Sequence, residues 1–306
     1  MKLKYRTVFI SDIHLGSNGS QAKEAAKFLK CVDCEKLYLV GDIIDMWRLK
    51  QRWYWPAEHN EVVRRILKMI KRGTEVVFVP GNHDEAARQY YGLEFGGVKV
   101  EPFVVHDGGD GKRYLVTHGD QYDLVVKHSR FLSVLGSVAY EWLIRINTWY
   151  NKCRALLGYK YWSVSAYMKL KVKHACTFIS RFEERLIAEA RRQELDGVIC
   201  GHIHHSDRIE DEDVVYLNCG DWVESCTAIV EDSTGRMEIV NGLDIVQEWE
   251  IEKELRRKEK LAQLEMAGEC AMDMAEELDV DWEEDDEEEG EMLLPMGGRW
   301  RYLLKK

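Results

Sequence analysis

Five apolar stretches of this chain end in the same kind of residue, and that recurrence restricts the available folds more than any other feature. They read Ile10-Ser11-Asp12-Ile13-His14, Val40-Gly41-Asp42-Ile43-Ile44-Asp45, Val79-Pro80-Gly81-Asn82-His83-Asp84, Val116-Thr117-His118-Gly119-Asp120 and Ile199-Cys200-Gly201-His202-Ile203-His204. A rigid sheet aims side chains while the loops beyond its strands stay free to adapt, so chemistry in α/β proteins gathers at strand ends. One Gly-Asp after a strand is a turn. Five strand ends closing in Asp, Asn or His form a metal constellation, with Asp42 at its centre.

The segments between these ends alternate strand and helix. Residues 5–11 read as a buried strand, Gln21–Lys30 as an amphipathic helix and Leu37–Val40 as the next strand. Glu58–Lys71 carries apolar residues at 62, 63, 66, 67 and 70, stops at Gly73 and leads into the strand Glu75–Val79. After a short helix beyond Asp84, a strand is expected over Val98–Val105, then a hairpin turn at 107–111 and a strand Arg113–Thr117. Further strands at Val214–Leu217, Cys226–Val230 and Met237–Val240 add antiparallel pairs to the parallel ones. An α/β fold with two sheets flanked by helices accommodates this order.

Carboxylate, imidazole and amide donors together suit manganese, iron or zinc better than magnesium, which prefers oxygen and water. Two divalent ions about 3.5–4 Å apart stabilise both the attacking and the leaving oxygen in displacement at phosphorus, and such a pair needs a bridging carboxylate. Asp42 is the candidate. Directly after it comes a loop, residues 46–55, dense in rings and cations. Trp47, Arg48 and Arg52 there either cap the sheet or form a substrate wall in which rings stack and guanidinium meets phosphate.

Net charge is -11, but residues 247–306 hold 20 acidic and 9 basic side chains, leaving 34 of each in residues 1–246. The body is neutral, so overall acidity does not exclude an anionic substrate. Nothing in the charge pattern singles out nucleic acid. Between His118 and Gly201 an insertion reads as helical, and residues 121–195 carry 13 Lys or Arg against 6 Asp or Glu. Its apolar run, residues 131–144, is too short to span a bilayer. A buried core helix is one reading of it, and an acyl-chain pocket or membrane-surface helix is the other. The acidic run Glu283–Glu289 repels itself and is expected to be disordered, after a charged helix from Gln247. The eight cysteines fit reduced thiols in a cytoplasmic protein, and no secretory signal is visible. Cys31 and Cys34 have the spacing of half a zinc site without a second half.

Taken in order, Asp12-x-His14, Gly41-Asp42, Gly81-Asn82-His83-Asp84, His118-Gly119-Asp120 and Gly201-His202-x-His204 resemble the five motifs of the calcineurin-like metallophosphoesterases, over about residues 5–240. The resemblance implies a four-layer α/β/β/α sandwich with a helical cap insertion at about 121–195 in a domain of residues 1–246, followed by the charged tail 247–306. It implies that Asp12, His14 and His204 hold a first ion with Asp42, and that Asn82, His118 and His202 hold a second with Asp42. A water held by the pair would attack phosphorus, and His83, oriented by Asp84, would steady the phosphoryl oxygens or protonate the leaving group.

Within that family, Ser11-Asp12-Ile13-His14-Leu15-Gly16, Gly41–Trp47, the helical insertion and Asn218-Cys219-Gly220-Asp221-Trp222 are similar to the UDP-2,3-diacylglucosamine pyrophosphatases of lipid A synthesis. This likeness implies a cap that receives acyl chains, cleavage between the two phosphates of a UDP-sugar, and peripheral contact with the inner membrane through the cap. It departs at His83, where those enzymes read Gly-Asn-Arg-Asp, so a paralogue acting on another phosphoester stays open. The alternatives are a general phosphodiesterase or phosphoprotein phosphatase with a structural cap, and a non-enzymatic scaffold. The complete ligand set argues against the scaffold.

Overall fold

Side chains two apart along a strand share a face, and here that alternation sorts the apolar residues into three packed layers. The computed structural model describes residues 2–123, 179 and 181–266. A seven-stranded sheet runs in the order β12 (Met237–Asn241), β11 (Thr227–Glu231), β1 (Leu3–Ile10), β2 (Val32–Leu39), β3 (Glu75–Phe78), β5 (Val98–Val100) and β4 (Glu94–Phe95). Its middle strands β1, β2, β3 and β5 are parallel, while β11, β12 and β4 join antiparallel at the two sides. A five-stranded sheet follows the order β6 (Val104–Asp107), β7 (Arg113–Val116), β8 (Gly197–Cys200), β10 (Val214–Asn218) and β9 (Asp207–Asp211), with β7, β8 and β10 parallel.

On β1, Val8 and Ile10 pack with helices α1 (Ala22–Cys31) and α3 (Ala57–Lys71), while Phe9 between them packs toward the other sheet. Phe9 stacks on Tyr38 at 4.9 Å between ring centroids, and with Val77, Val116, Ile199 and Leu217 they fill the space between the sheets. On the far side, Leu115, Val198 and Tyr216 meet Phe182, Leu186 and Ala190 of helix α4, residues 181–192. The layers therefore stack α/β/β/α. Each large apolar side chain fully buried in them contributes roughly 1.5–3 kcal/mol, which is what can hold strained loops in place elsewhere.

Two elements differ from the sequence expectation, and a third, β9, lies in residues 196–240, which read as mostly strand, without an apolar run of its own. The single strand expected over Val98–Val105 is two strands in different sheets, because Pro102 lacks the N–H a continuous ladder needs and the chain crosses there. The aromatic loop opens with a short helix, α2 (Met46–Gln51), whose first turn is capped by Asp45 accepting the Arg48 N–H at 2.9 Å. Strand β9, Asp-Arg-Ile-Glu-Asp, lacks the apolar run that marks a strand because it is an edge strand showing charge to solvent.

The chain forms two compact units, Met1–Trp249 and Glu250–Lys306. Helix α5 (Gly242–Met266) begins in the first, where Ile245, Val246 and Trp249 join the helix-side core. In the second, its residues 250–260 are almost all exposed and carry i,i+4 pairs such as Glu252–Arg256 and Glu254–Lys258. Most of the expected cap, including residues 131–144, lies outside the described residues, as do the acidic run 283–289 and the basic C-terminus 298–306. No helix among the described residues is long and apolar enough to cross a membrane. Cys31 and Cys34 are both buried thiols, with burial pushing Cys34 up to about 12, and neither belongs to a candidate metal cluster.

Candidate metal centre

The loops after β1, β2, β3, β7, β8 and β10 meet at the carboxyl ends of the parallel strands. The first two pair through their backbones, Asp12 N–H to Gly41 carbonyl at 3.0 Å and His14 N–H to Asp42 carbonyl at 2.9 Å. Among the described residues, eight non-glycine residues have left-handed backbone, and five of them are Asp12, His14, Asp42, His202 and His204. That conformation costs roughly 1–2 kcal/mol for each such residue. Its concentration on the strand-end residues marks them as held for a purpose other than stability.

Three groups of donors result: His14, Asp45 and His83 form one, and the other two hold the expected ligands. Asp12, His14 and His204 lie with their donor atoms within 4.8 Å of one another, and so do Asp42, His118 and His202. His204 Nε2 is 3.3 Å from Asp12 Oδ1 and 3.2 Å from His14 Nε2. Asp42 Oδ2 stands between the groups, 4.0 Å from His14 Nε2 and 3.4 Å from His118 Nε2. Asn82 is flanked by two residues that touch Asp42: a Cβ on Gly81 would strike the Asp42 carboxylate, and the His83 N–H donates to Asp42 Oδ1 at 2.8 Å.

The donor set fits divalent cations on three grounds. Asp12 Oδ1, Asn82 Oδ1 and His118 Nε2 are buried with no hydrogen-bond partner among the described residues, a cost that cations ligated by them would remove. The imidazoles are held by the nitrogen facing away from the cluster, as metal-binding imidazoles are: His118 Nδ1–H donates to the Val40 carbonyl at 2.9 Å and His204 Nδ1 pairs with Asp221 at 2.9 Å. His202 Nε2 is held by Asp123 at 3.1 Å. Third, the charges demand positive partners. Burial alone would depress His14, but the nearby carboxylates of Asp12, Asp45 and Asp42 lift it to about 9. In the same way, against burial, Asp42 lifts His118 to about 10, and Asp12 with Asp221 lifts His204 to about 10. In the metal-free protein protons on these rings supply part of the charge that cations would bring, a single proton lying across the 3.2 Å contact between His14 Nε2 and His204 Nε2.

His83 stands beside this centre. Its ring lies against Trp47 at 4.1 Å and edge-on to His14 at 4.7 Å, with Nε2 4.0 Å from Asp42 Oδ2. The expectation that Asp84 orients it is corrected. Asp84 is fully buried and braces two loops instead, accepting the Ile43 N–H at 2.8 Å and the Gly81 N–H at 2.5 Å. The carboxylate on His83 Nδ1 is Asp45, at 3.0 Å, which also faces His14 Nδ1 at 3.6 Å. Of the expected wall, Trp47 reaches the site through His83, whereas Arg48 and Arg52 are exposed and make no ion pair with a described residue. Asp45, Asp123 and Asp221 went unassigned in the sequence. Asp45 lies within Gly41-Asp42-Ile43-Ile44-Asp45 and Asp221 within Asn218-Cys219-Gly220-Asp221-Trp222, but nothing in either stretch marks the imidazole that it meets across the fold.

Carboxylate, imidazole and amide donors on the strand-end loops of an α/β/β/α sandwich define a protein of the metallophosphoesterase class. The calcineurin-like phosphoesterase model matches residues 5–206, and the chain belongs to that family. It is 24% identical over 226 residues to a UDP-2,3-diacylglucosamine hydrolase of Vibrio vulnificus (strain YJ016), covering 71% of this chain and 89% of that protein. Its match to a protein of the same name from Histophilus somni (strain 129Pt) is 29% identical over 118 residues, 38% of this chain, and spans about half of that relative, 49%. Among solved structures it is similar to Yfce, a phosphoesterase from E. coli, at 13% identity and a TM-score of 0.36, covering 77% of this chain and 98% of that one.

Proposed function

We propose that the protein hydrolyses a phosphoester or pyrophosphate bond with two divalent ions, in a UDP-sugar lipid such as UDP-2,3-diacylglucosamine. The observation that carries the dinuclear reading is the position of Asp42, whose Oδ2 faces His14 Nε2 on one side and His118 Nε2 on the other. Asp12, His14 and His204 would hold one ion, Asn82, His118 and His202 the other, with Asp42 shared. Manganese suits these donors, with iron or zinc also compatible. Such ions supply positive charge to the phosphoryl oxygens and lower the pKa of water to near neutrality.

The chain's own residues do the rest. Asp45 accepts from His83 Nδ1–H and so turns Nε2 toward the centre, where the ring, when it carries a second proton, can serve the leaving oxygen or steady the phosphoryl group. Trp47 lies against that ring, and exposed guanidinium groups are offered by Arg48, on the helix that Asp45 caps, and by Arg52, just beyond its end. The likeness to UDP-2,3-diacylglucosamine hydrolases and the excess of basic residues over 121–195 favour a lipid-bearing anionic substrate met at a cytoplasmic membrane surface.

A general phosphodiesterase is the second reading, favoured by His83 in place of the arginine noted above. Assay of the manganese-loaded protein on UDP-2,3-diacylglucosamine beside a generic phosphodiester separates the two. A strong preference for the nucleotide lipid is expected. Turnover of the generic compound alone would refute the lipid reading.

A further inference from the structure

His204 is the hardest of the proposed ligands to keep in place. Its backbone is left-handed, with φ at 54°, and its side chain is 37% exposed, against 8% or less for His14, His118 and His202. Packing holds such a ring less firmly, and among the described residues its ring contact is with His14 at 5.1 Å. What holds it is a carboxylate.

Asp221 is 1% exposed and divides its two oxygens between two tasks. Oδ1 accepts the Ser225 N–H at 2.7 Å, the Ser225 hydroxyl at 2.8 Å and the Glu224 N–H at 3.1 Å. Oδ2 is left for His204 Nδ1 at 2.9 Å. The turn is itself fixed at both ends. Asn218 Nδ2 donates to the Gly201 carbonyl at 2.9 Å, in the loop that carries His204, and its Oδ1 accepts the Gly220 N–H at 2.9 Å. The next residue, Trp222, is fully buried against Phe28 and donates its N–H to the Asp12 carbonyl at 3.0 Å. One turn thus sets both the imidazole and the backbone of the carboxylate opposite it.

The second group is built differently. It too has a carboxylate behind one ring, Asp123 on His202 Nε2 at 3.1 Å, but His118 is backed by the neutral carbonyl of Val40, and its own third expected ligand is the neutral amide Asn82, whereas the first group has the carboxylate of Asp12. A carboxylate on the outer nitrogen fixes the tautomer and raises the basicity of a ligating imidazole. We infer that Asp221 is a positioning residue for the first ion, committing His204 Nε2 to it and making that site the tighter of the two. This rests on the dinuclear reading above.

The test is metal uptake by the full chain, followed by chelator competition and by the electron paramagnetic resonance spectrum of bound Mn2+. Wild type should show a tight and a weaker class of ion and an exchange-coupled spectrum when both are filled. Asp221→Ala should weaken the tight class by about 10–100-fold, leave the weaker class in place and replace the coupled spectrum by that of isolated Mn2+. Asp221→Asn, which keeps an acceptor for Nδ1–H, should fall between. Melting of the metal-free proteins guards against a folding defect: equal loss of both classes with a lowered metal-free melting temperature would overturn the inference in favour of a structural role. Two ions bound with unchanged affinities in Asp221→Ala would overturn it alone. A wild type that takes up no divalent ion would overturn both the inference and the reading beneath it.

Discussion

Asp45 joins three groups, and removing its carboxylate should show which of them matters to turnover. It accepts from His83 Nδ1 at 3.0 Å and from the Arg48 N–H at 2.9 Å, and it faces His14 Nδ1 at 3.6 Å. The last distance is too long for a hydrogen bond, so the main losses are the helix cap and the hold on His83. Losing the cap costs about 1 kcal/mol of stability, and asparagine caps nearly as well as aspartate. Losing the hold leaves His83 with Trp47 against one face and a quarter of its side chain open to solvent. A positioned general acid contributes about 10²–10⁴ in rate, or roughly 2.7–5.4 kcal/mol of barrier.

Asp45→Ala should therefore lower kcat by about a hundredfold or more on a diester with a poor leaving group, and far less on a nitrophenyl diester, whose leaving oxygen needs no proton. His83→Ala should show the same pattern with metal content unchanged. The double variant should be no slower than His83→Ala, because residues acting as one unit are not additive. Asp45→Asn should keep the melting temperature and lose part of the rate. Multiplicative losses in the double variant, or equal losses across leaving groups, would refute the assignment of Asp45 to His83.

Asp42→Asn should lower metal content and activity together, and full occupancy by two ions in that variant would contradict a shared carboxylate. Gly81→Ala should impair uptake of the ions, since the added methyl would meet the Asp42 carboxylate and backbone and the His118 ring; wild-type occupancy would refute that crowding. Metal affinity should rise with pH between about 6.5 and 9, because uptake must displace protons from rings whose ordinary value is about 6.5 but which stand at about 9 for His14 and about 10 for His118 and His204. The same raised values stabilise the metal-free fold: their contribution is complete below about pH 6.5 and is lost as pH rises through 9 to 10. Flat chelator-competition curves, or a metal-free melting temperature that does not fall over that upper range, would exclude protonated rings as the resident charge.

What could be foreseen in the sequence was what local patterning controls. Apolar runs of period two placed most strands, and the apolar stripe of α3 gave a helix from Glu58 where the structure begins it at Ala57. The strand-end motifs met because parallel strands deliver their carboxyl ends to one side. Side-chain pairing between loops was not foreseeable. Asp84 is adjacent to His83 in the chain, yet its carboxylate turns back to Ile43 and Gly81, while Asp45, 38 positions from His83, reaches its ring. Asp221 was hidden in the same way, since nothing local distinguishes a buttress for His204 from a turn residue. Pro102 was the one missed signal of a purely local kind.

The loops of the centre are locked to one another where side chains are absent. A Cβ on Gly41 would strike the His118 ring, one on Gly81 the Asp42 carboxylate, and one on Gly201 the Asp12 carboxylate and Ser11. Each glycine thus admits a group from a different loop, so no ligand loop can shift without displacing another. Such crowding brings the carboxylates of Asp12 and Asp42 together against their mutual repulsion, on backbone that is itself strained. Cations or ring protons relieve the first cost, and the apolar layers of the sandwich offset the second. A centre built this way is preorganised for positive charge before any ion arrives, which is the condition under which charge developing on a phosphoryl group is stabilised without further rearrangement.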